Sequence, residues 1–453
     1  MIGNTNKGIL NQMSNGFDKN AANGSVIPPK KFLFVSFESL SGDLAWQIKK
    51  EGHEVKAYVK REEDKDVYDG FLDKVDDWKN YADWADIIVF DDVGFAQEAD
   101  ALRAAGKLVV GGSSYTDKLE EDREFGQNEM KEAGMLTLPH WDFYDFDSAI
   151  EFIKTNPGRY VFKPSGNVPS DQKGLLFLGQ EEDGKDIIEI LEQNKKTWAK
   201  RIKKFQLQKM AVGVEVAVGA FFNGQDFIYP INVNFEHKKL FPGDIGPYTG
   251  EMGTLMYWSP PNEIFRSTLS KIRPALAKSG YVGYIDINCI ANAKGIYPLE
   301  FTSRFGYPTI SIQMEGITSQ CGEFLYKLVK KEPFELKTKK GFQIGVVVAV
   351  PPFPFDDKNE SFIYKDLSIL FKKNNLDGIH LGDVKMDNGV WGIAGDSGYV
   401  LVVTGSGLTV DDARKQVYSR LKNILLQNMF YRTDIGLKWY TDSDRLQTWG
   451  YLY

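Results

Sequence analysis

Short apolar runs alternate with amphipathic stretches along the first third of the chain, a pattern typical of a parallel sheet crossed by helices. Residues 31–36 (KFLFVS) are an apolar run, and the amphipathic residues 44–50 that follow end shortly before Gly52. The same alternation predicts further strands at 54–59, 86–90 and 108–110 and a helix at 96–105. Because such units fold with right-handed crossovers, we expect a doubly wound α/β domain at 30–117.

The pattern changes after residue 117. Residues 120–133 are charged and helical in spacing, and short turns at 223–224 and 292–295 then favour β-hairpins. Strand-like runs occupy residues 160–163, 174–178, 205–210, 214–222, 284–290 and 296–302. This α+β pattern predicts a second domain at 118–336.

A basic linker (KTKKG, 337–341) precedes the last unit, which we place at 337–453 and expect to be α+β. It contains strand-like runs at 343–350 and 399–404 and then a helix, where Thr409 and Asp412 form a capping-box pattern. Apolar residues follow at helical spacing and predict a core-facing stripe: Val410, Ala413, Val417, Leu421 and Ile424.

Composition excludes several classes of function. The net charge of −7 argues against a nucleic-acid-binding surface, and two cysteines among 453 residues cannot form a disulfide framework. No apolar run approaches the roughly 20 residues that span a bilayer. Residues 1–29 are polar and lack the order of a signal peptide, so we expect a flexible extension on a cytoplasmic protein.

The most informative chemistry lies in YIDINCI (284–290) and YPLEFTSRFG (297–306). If these form a hairpin, alternation along the strands brings Asp286 and Glu300 near each other beside Arg304. Two carboxylates at one place suit a magnesium ion, and an arginine suits a transferring phosphoryl group. The alternative interpretation is a solvated face of the hairpin.

Three further segments are weaker indications. Lys163 ends a strand before a Gly- and Ser-containing turn that continues to 173–174, which suits phosphate but does not have P-loop spacing. Glu215 follows a glycine in a strand and could meet a ribose hydroxyl. His237 and Lys238 add positive charge before a Gly-rich loop. Taken alone, the Lys163 and Glu215 segments are better explained by ordinary structure, and the His237–Lys238 segment is explained equally well by a solvated surface loop.

The order of these motifs resembles the phosphoribosylamine–glycine ligase (glycinamide ribonucleotide synthetase) family of the ATP-grasp superfamily. The motifs are a strand Lys, Gly-x-Glu, His-Lys-Lys, GPYTGEMG (246–253) and EFTSRFG (300–306), followed by VLVVTGSGLTVDDARKQVY (400–418) and MFYRTDIG (429–436). The resemblance covers nearly the whole chain beyond Pro29. It implies a central ATP-grasp domain with a mobile lid at about 135–210 and a small C-terminal domain.

The resemblance also implies the roles of individual residues. Arg304 and Lys163 would act in catalysis. ATP would be bound by Arg123, Lys163, Lys173, Gly174, Gln208, Lys209, Met210 and Glu215, with the 208–210 backbone at the adenine edge. The substrates would be bound by Ser39, Ser41, Gly42, Asp92, His237, Lys238, Asp244, Thr249 and Gly250. Magnesium, or manganese in its place, would be bound by Glu300, Asp286 and Thr302.

The chain departs from the family pattern at several positions. Thr302 replaces an Asn, while Asp286 resembles the first acidic metal ligand of other ATP-grasp enzymes. Tyr248 and Glu251 alter the Gly-rich loop, and Tyr307 replaces an Asp. The first loop reads FESLSGD (37–43) and lacks the Arg and His of the family. Its small residues could still offer donors to a phosphate at a helix start, whereas Asp43 would oppose one.

We therefore predict an ATP-dependent carboxylate–amine ligase that acts through an acyl phosphate and releases ADP and phosphate. One alternative is an ATP-grasp ligase for a different amine or amino acid, which the changed loop favours. The other is a nucleotide-binding protein without catalysis, which Thr302 favours. The expected partners are small-molecule amine and carboxylate substrates, without nucleic acid or membrane, for a monomer or dimer.

Overall fold

The N-terminal unit is a five-stranded parallel sheet covered on both faces. The computed structural model describes residues 27–165, 175–332, 334–355, 357–373 and 375–453, so the predicted extension at 1–29 lies outside the described residues except for 27–29. The elements are β1 (Lys31–Ser36), α1 (Gly42–Lys50), β2 (Glu54–Val59), β3 (Asp73–Lys74), β4 (Ile87–Phe90), α2 (Ala96–Ala104) and β5 (Leu108–Val110). The strand order is β3-β2-β1-β4-β5 with every pair parallel.

Alternate residues of β1 enter different cores, which explains its continuous apolar run. Phe32 and Phe34 pack with Ile48 of α1, whereas Leu33 and Val35 pack with Ala99 of α2. The doubly wound class predicted from the sequence is thereby confirmed. Strand β3 was missed because its two residues, Asp and Lys, carry no strand pattern.

Two helices stand where one was predicted at 120–133. They are α3 (Ser114–Glu121) and α4 (Arg123–Glu132). The break falls at Asp122, whose side chain accepts a hydrogen bond from the backbone N–H of Phe125 at 3.1 Å. An N-cap carboxylate satisfies an otherwise unpaired helical donor and so starts a new helix at this point.

A small unit with its own core follows. It comprises β6 (His140–Phe143), α5 (Phe146–Thr155), β7 (Tyr160–Ser165), β8 (Phe177–Leu178), α6 (Lys185–Trp198) and β9 (Lys204–Lys209). The strands form an antiparallel sheet in the order β6-β9-β7-β8. Phe205 lies at its centre, within 4.7–5.9 Å of the rings of Phe143, Phe146 and Phe162. We call this unit the lid; its predicted mobile turn, within 165–173, lies outside the described residues from 166 onwards.

One antiparallel eight-stranded sheet forms the body of the protein. Its strands are β10 (Val214–Asn223), β11 (Phe227–Glu236), β14 (Gly253–Ser259), β15 (Val282–Asn292), β16 (Gly295–Thr302), β17 (Phe342–Ala349), β19 (Ile379–Leu381) and β22 (Tyr399–Gly407). They lie in the order β16-β15-β10-β11-β14-β17-β22-β19. Strand β14 pairs with β17, so the sheet continues across the predicted boundary at 336/337. The boundary itself stays a prediction.

Shorter elements complete the chain. Around the large sheet lie β12 (Lys239–Phe241), β13 (Ile245–Tyr248), α7 (Glu263–Ser267), α8 (Arg273–Ser279), α9 (Thr309–Gly316) and α10 (Cys321–Lys330). The C-terminal part adds α11 (Lys358–Tyr364), β18 (Ser368–Phe371), β20 (Val384–Asp387), β21 (Val390–Ile393), α12 (Val410–Leu421), β23 (Ile424–Leu425) and α13 (Trp439–Thr448). Among the described helices, none combines the length and apolar character that crossing a bilayer requires.

The predicted cap of α12 is confirmed, because Thr409 Oγ1 accepts a hydrogen bond from the backbone N–H of Asp412 at 3.1 Å. The apolar stripe from Val410 to Leu421 is buried, as predicted. Ile424 is also buried, but it belongs to β23 rather than to the helix. The helix ends at Leu421, so helical spacing continued one residue too far in the prediction.

We predict that Phe205→Ala unfolds the lid while leaving the large sheet folded. Removing a fully buried ring costs about 3–5 kcal/mol, and this core is separate from the others. Hydrogen exchange should show lost protection in β6, β7 and β9 but not in β10 or β15. Tyr144→Ala, at a side chain that is 73% exposed, is the control. Unchanged lid protection in Phe205→Ala would contradict an independent lid core.

Candidate active site

A cleft of about 1260 Å³ opens between the lid, helices α3 and α4, and the face of the large sheet. Its walls bring together segments far apart in sequence, including Arg123 of α4, Gln206 of β9 and Glu300 of β16. It is much larger than a second cavity, beside the 39–44 loop, which measures about 70 Å³. The cleft is therefore the candidate active site.

The hairpin of β15 and β16 forms the floor of the cleft. Asp286 pairs with Thr302 and Asn288 with Glu300 across the two strands. Directly opposed residues share one face of a sheet, so these four side chains point the same way. The shared face for Asp286 and Glu300 that alternation predicted is confirmed, and all four residues line the cleft.

Lys238 is the charge centre of the site. Its ammonium lies 3.1 Å from Glu215, 3.6 Å from Glu236 and 3.5 Å from Glu300. Chiefly because of Lys238, with help from Arg123, the pKa of Glu300 is lowered to about 2. Glu300 is consequently ionised at every physiological pH. Glu215, predicted to meet a ribose, points at this lysine and is half-exposed.

Lys163 is buried in β7, directly before the cleft-lining residues Pro164 and Ser165, and donates a hydrogen bond to Gln208 Oε1 at 2.6 Å. Burial, reinforced by the nearby positive charge of Arg123, lowers the pKa of the Lys163 ammonium to about 7. Glu300 counters part of that shift. Lys163, Arg123, Lys238 and Glu300 therefore act on one another electrostatically, as four members of one site.

The backbone proposed for the adenine edge is already hydrogen-bonded. The N–H of Lys209 donates to the carbonyl of Pro139 at 2.8 Å, and that of Met210 donates to Arg159 at 3.0 Å. Neither residue lines the cleft in this conformation. Lys173 and Gly174, predicted to close a phosphate loop, lie outside the described residues.

Arg304 stands at the end of the cleft between two acidic partners. Its Nε lies 3.0 Å from Asp92 and 3.2 Å from Glu120. Glu120 also accepts a hydrogen bond from the backbone N–H of Ser303 at 2.7 Å, so it fixes the turn that carries the arginine. Asp92 thus belongs to the site because it contacts Arg304. Glu120 is a further site residue, which was not predicted from the sequence.

His237 and Asp244 lie away from the cleft. His237 is buried, and its Nε2 accepts a hydrogen bond from the N–H of Gly436 at 3.3 Å. Burial and the nearby Lys438 lower the pKa of His237 to about 3, so it is neutral. Asp244 pairs with Arg432 at 3.0 Å and with Lys438 at 2.8 Å. Both residues contact the C-terminal segment and do not line the cleft, and their predicted contact with substrate stays a prediction.

Thr249 and Gly250 do line the cleft. The hydroxyl of Thr249 donates to the carbonyl of Lys238 at 2.9 Å, and its backbone N–H donates to the same oxygen at 2.8 Å. These two bonds fix the backbone of Lys238 in the position from which its ammonium reaches the three carboxylates. Gly250 has open space around its Cα.

The 37–43 loop is occupied by internal contacts. Ser41 donates to Asp91 Oδ2 from its N–H at 3.0 Å and from its hydroxyl at 2.6 Å. Ser39 Oγ lies 3.4 Å from Asp383 Oδ1. Gly42 packs so closely on Tyr68 that a Cβ would come within 1.9 Å of the ring. The residues predicted to bind a phosphate therefore make contacts within the protein that stabilise the loop.

Asp43 also faces the protein interior. Its Oδ2 lies 2.7 Å from His380 Nδ1, and its Oδ1 accepts a hydrogen bond from the N–H of Leu381 at 3.1 Å. Asp43 thus joins the N-terminal unit to β19, and the expectation that this carboxylate opposes a bound phosphate stays a prediction. His380 continues the chain of contacts to Thr404 Oγ1 at 2.9 Å.

The residues at the floor fit a magnesium ion only together with phosphate oxygens. Within the described residues, no three His, Cys, Asp or Glu side chains are arranged to hold a metal ion. Glu300, Thr302 and Asp286 still place hard oxygen atoms on one face beside the cations that would attract phosphates. Magnesium is commonly held by one or two carboxylates plus substrate phosphates, and this arrangement meets that requirement.

Known proteins share both sequence and fold with this chain. The family model for the phosphoribosylglycinamide synthetase ATP-grasp (A) domain matches residues 121–310, and that for the C domain matches 343–438. The phosphoribosylamine–glycine ligase of Streptococcus pneumoniae is 28% identical over 361 residues, which are 77% of this chain and 82% of the relative. That of Listeria monocytogenes is 26% identical over 377 residues, 80% and 86% of the two chains.

Solved structures agree. The crystal structure of phosphoribosylamine–glycine ligase from Thermotoga maritima has a TM-score of 0.69 at 20% identity, covering 90% of this chain and all of that one. The biotin carboxylase domain of 2-oxoglutarate carboxylase from Hydrogenobacter thermophilus, solved with MgADP, has a TM-score of 0.58 at 14% identity, covering 92% and 97%.

The lid, the large sheet and the cleft between them define an ATP-grasp fold. The two matched domain models together span more than half of the chain. The chain belongs to the phosphoribosylglycinamide synthetase family. The resemblance and the multidomain fold class inferred from the sequence are confirmed.

We predict that Asp43→Ala destabilises the protein without altering nucleotide affinity. The substitution leaves His380 Nδ1 and the Leu381 N–H without their buried acceptor, at a cost of about 3 kcal/mol. Chemical denaturation measures the loss, and calorimetry with an ATP analogue measures binding. Glu38→Ala, in the exposed part of the same loop, is the control. Full stability with weakened substrate binding would instead place Asp43 in a substrate site.

Proposed function

We propose that this protein is an ATP-dependent carboxylate–amine ligase that acts through an acyl phosphate, as expected for a relative of phosphoribosylamine–glycine ligase. The observation that carries the proposal is the positive charge of Lys238, Arg123 and Lys163, which together lower the pKa of Glu300 at the cleft. Three cations around one carboxylate suit the triphosphate of ATP. Positioning and charge neutralisation are the main requirements of phosphoryl transfer.

The cations of the site have different roles. Lys163 and Arg123, at the lid side, hold phosphate oxygens by charge-assisted hydrogen bonds. Before ATP binds, Lys238 partly neutralises the charges of Glu215, Glu236 and Glu300. When a further cation neutralises Glu300, the Lys238 ammonium turns towards a phosphate. Magnesium would supply that charge, held by Glu300 and Thr302 together with phosphate oxygens.

Arg304 stabilises the transferring phosphoryl group. Asp92 and Glu120 hold its guanidinium from one side, which fixes its direction before the substrates arrive. The substrate carboxylate attacks the γ-phosphorus, the bond to the β-phosphate oxygen breaks, and ADP leaves. The amine nitrogen then attacks the acyl carbon, the bond to the phosphate oxygen breaks, and phosphate leaves while the nitrogen loses a proton.

A second candidate is a ligase of the same chemistry that uses a different amine. The observation that favours it is the 37–43 loop, where Ser41 and Asp43 are committed to Asp91 and His380. The loop then has few side-chain donors for a phosphorylated sugar. A cytoplasmic location and a monomeric or dimeric state remain part of the proposal.

Steady-state ADP release tests the function. The parent enzyme is assayed with glycine and freshly generated phosphoribosylamine, and then with a panel of amines and amino acids. Turnover with the first pair supports the family reaction, and turnover only with another amine supports the second candidate. ATP binding without ADP release from any pair would overturn both candidates in favour of a catalytically silent protein.

We predict that ATP affinity falls as pH rises above about 7. In the free protein the pKa of Lys163 is about 7, so this ammonium is charged below that pH and neutral above it. Phosphate favours the charged form, so binding above pH 7 takes up a proton and weakens by up to about tenfold per pH unit. Calorimetry in two buffers of different ionisation heat measures both effects.

Lys163→Arg is the matched control, since a guanidinium stays charged over the same range and should flatten the pH dependence. Lys163→Ala should weaken binding at every pH. A parent protein whose ATP affinity is constant from about pH 6 to 9 would contradict a phosphate contact by Lys163.

We predict that Glu300→Gln loses turnover by at least about a hundredfold while keeping its melting temperature within a few degrees. The amide preserves the shape but removes the charge that attracts the metal. Glu121→Gln makes the same change at an exposed position on the rim of the cleft and should leave turnover intact. Full activity of Glu300→Gln at ordinary magnesium concentrations would exclude the metal role.

A further inference from the structure

A short segment near the C-terminus contacts both chain neighbours of Lys238. Arg432 donates a hydrogen bond from Nη1 to the backbone carbonyl of Lys239 at 2.8 Å. The backbone N–H of Gly436 donates to His237 Nε2 at 3.3 Å. We call this segment, from Arg432 to Gly436, the clamp. The clamp therefore holds the charge centre of the site from both sides, although neither of its two contacting residues lines the cleft.

Arg432 is fully buried and also binds two carboxylates. It donates to Asp434 from Nε at 2.8 Å and from Nη2 at 2.7 Å, and to Asp244 from Nη1 at 3.0 Å. Asp434 Oδ2 accepts a further hydrogen bond from the backbone N–H of Gly243 at 2.9 Å. These contacts reach both the first residue of β12, Lys239, and the turn before β13. The clamp thus fixes the whole hairpin that follows the charge centre.

The clamp is itself anchored on helix α12. The hydroxyl of Tyr418 donates to the carbonyl of Arg432 at 2.9 Å. Arg414 donates to the carbonyl of Thr433 at 3.1 Å and to that of Ile435. The position of the hairpin therefore depends on the C-terminal third of the chain as well as on the large sheet.

Stability alone does not account for a buried arginine at this place. A buried ion pair adds little net stability compared with apolar side chains of similar volume, but it can specify one arrangement of the chain. Here Arg432 fixes the carbonyl of Lys239, while Thr249 fixes that of Lys238 at 2.8 and 2.9 Å. The Lys238 ammonium must reach three carboxylates at 3.1–3.6 Å, so a shift of this backbone would lengthen at least one contact.

We propose that Arg432 is a positioning residue of the ATP site, which acts through Lys238 without touching a substrate. By holding the hairpin, it keeps the Lys238 ammonium where it can meet Glu300 and, after a further cation arrives, a phosphate. The described residues that line the cleft all lie before residue 310, so the clamp gives the C-terminal third a part in nucleotide binding. The proposal rests on the proposed function only for the role of Lys238 towards ATP.

Arg432→Lys tests the proposal, because a lysine keeps the charge but lacks the planar fork that binds Asp434 twice and the hairpin as well. Arg420→Lys is the matched control. Arg420 also lies in the C-terminal third and binds a carboxylate, that of Glu315 at 3.0 Å, and a backbone carbonyl, that of Thr404 at 2.7 Å. Neither of these two partners belongs to the hairpin.

Hydrogen exchange of the full chain without nucleotide measures the positioning itself. The backbone N–H of Thr249 donates to the carbonyl of Lys238, and that of Met252 donates to the carbonyl of His237, both at 2.8 Å. These two reporter amides therefore follow the backbone at the charge centre, and their exchange does not depend on turnover.

Arg432→Lys should raise the exchange of both reporter amides several-fold, while β10 and β15 keep their protection. Arg420→Lys should leave the reporter amides unchanged. Asp434→Asn preserves shape but weakens the hold on the guanidinium, and it should act in the same direction as Arg432→Lys. It takes the place of that variant if the melting temperature shows that Arg432→Lys is not folded.

Calorimetry with a nonhydrolysable ATP analogue and magnesium measures the consequence for the site. Arg432→Lys should weaken binding by about tenfold, and Arg420→Lys should not. In a Lys238→Ala background, Arg432→Lys should weaken binding no further, although its effect on the melting temperature should persist. This non-additivity separates the positioning of Lys238 from general destabilisation.

Unchanged exchange of the reporter amides in a folded clamp variant would overturn the proposal, as would an equal effect of Arg420→Lys. Raised exchange with unchanged affinity for the analogue, or an additive loss in the double variant, would also overturn it. No binding of the analogue to the parent would overturn both the proposal and the proposed function. Raised exchange and weakened binding without ADP release from any substrate pair would leave the positioning standing and defeat the proposed function, whereas ADP release with unchanged exchange would do the reverse.

Discussion

The ion cluster around Lys238 is the interaction on which the site depends. Glu215, Glu236 and Glu300 come from three strands of the large sheet and would repel one another without it. The two hydrogen bonds from Thr249 to the carbonyl of Lys238 fix the backbone from which the ammonium reaches all three. Lys238 alone cannot balance the three carboxylates that it contacts, and the charges of Arg123 and Lys163 also act on Glu300. The expected metal would add positive charge at the same place.

The local sequence pattern predicted a strand well where all residues of the strand have similar surroundings. Strands β1 and β5 have the limits expected from their apolar runs, because strands buried on both faces need apolar residues at every position. Strand β2 also has the expected limits, although its buried residues alternate with more exposed ones. The pairing of β14 with β17 could not be predicted in the same way. It joins segments nearly a hundred residues apart, and nothing in either segment specifies its neighbour.

In the candidate site, too, local contacts could be predicted from the sequence and long-range contacts could not. Alternation along β15 and β16 was enough to place Asp286 and Glu300 on one face, since a hairpin is local. The partners of Asp43 and His237 could not be found this way. His380 is 337 positions from Asp43, and Gly436 is 199 positions from His237. Such contacts make both residues parts of the framework, although Asp43 was expected to oppose a phosphate and His237 to bind substrate.

The continuity of the large sheet across residue 337 also limits how this protein can be recombined. A chimera that exchanged the C-terminal third for that of a relative would have to match β17 to the edge of β14, residue by residue, and β22 to β17. A cut in the linker would leave each fragment with a long unpaired strand edge, which promotes aggregation. The last third of the chain is thus inherited together with the middle third, as one unit of exchange, whatever becomes of the lid.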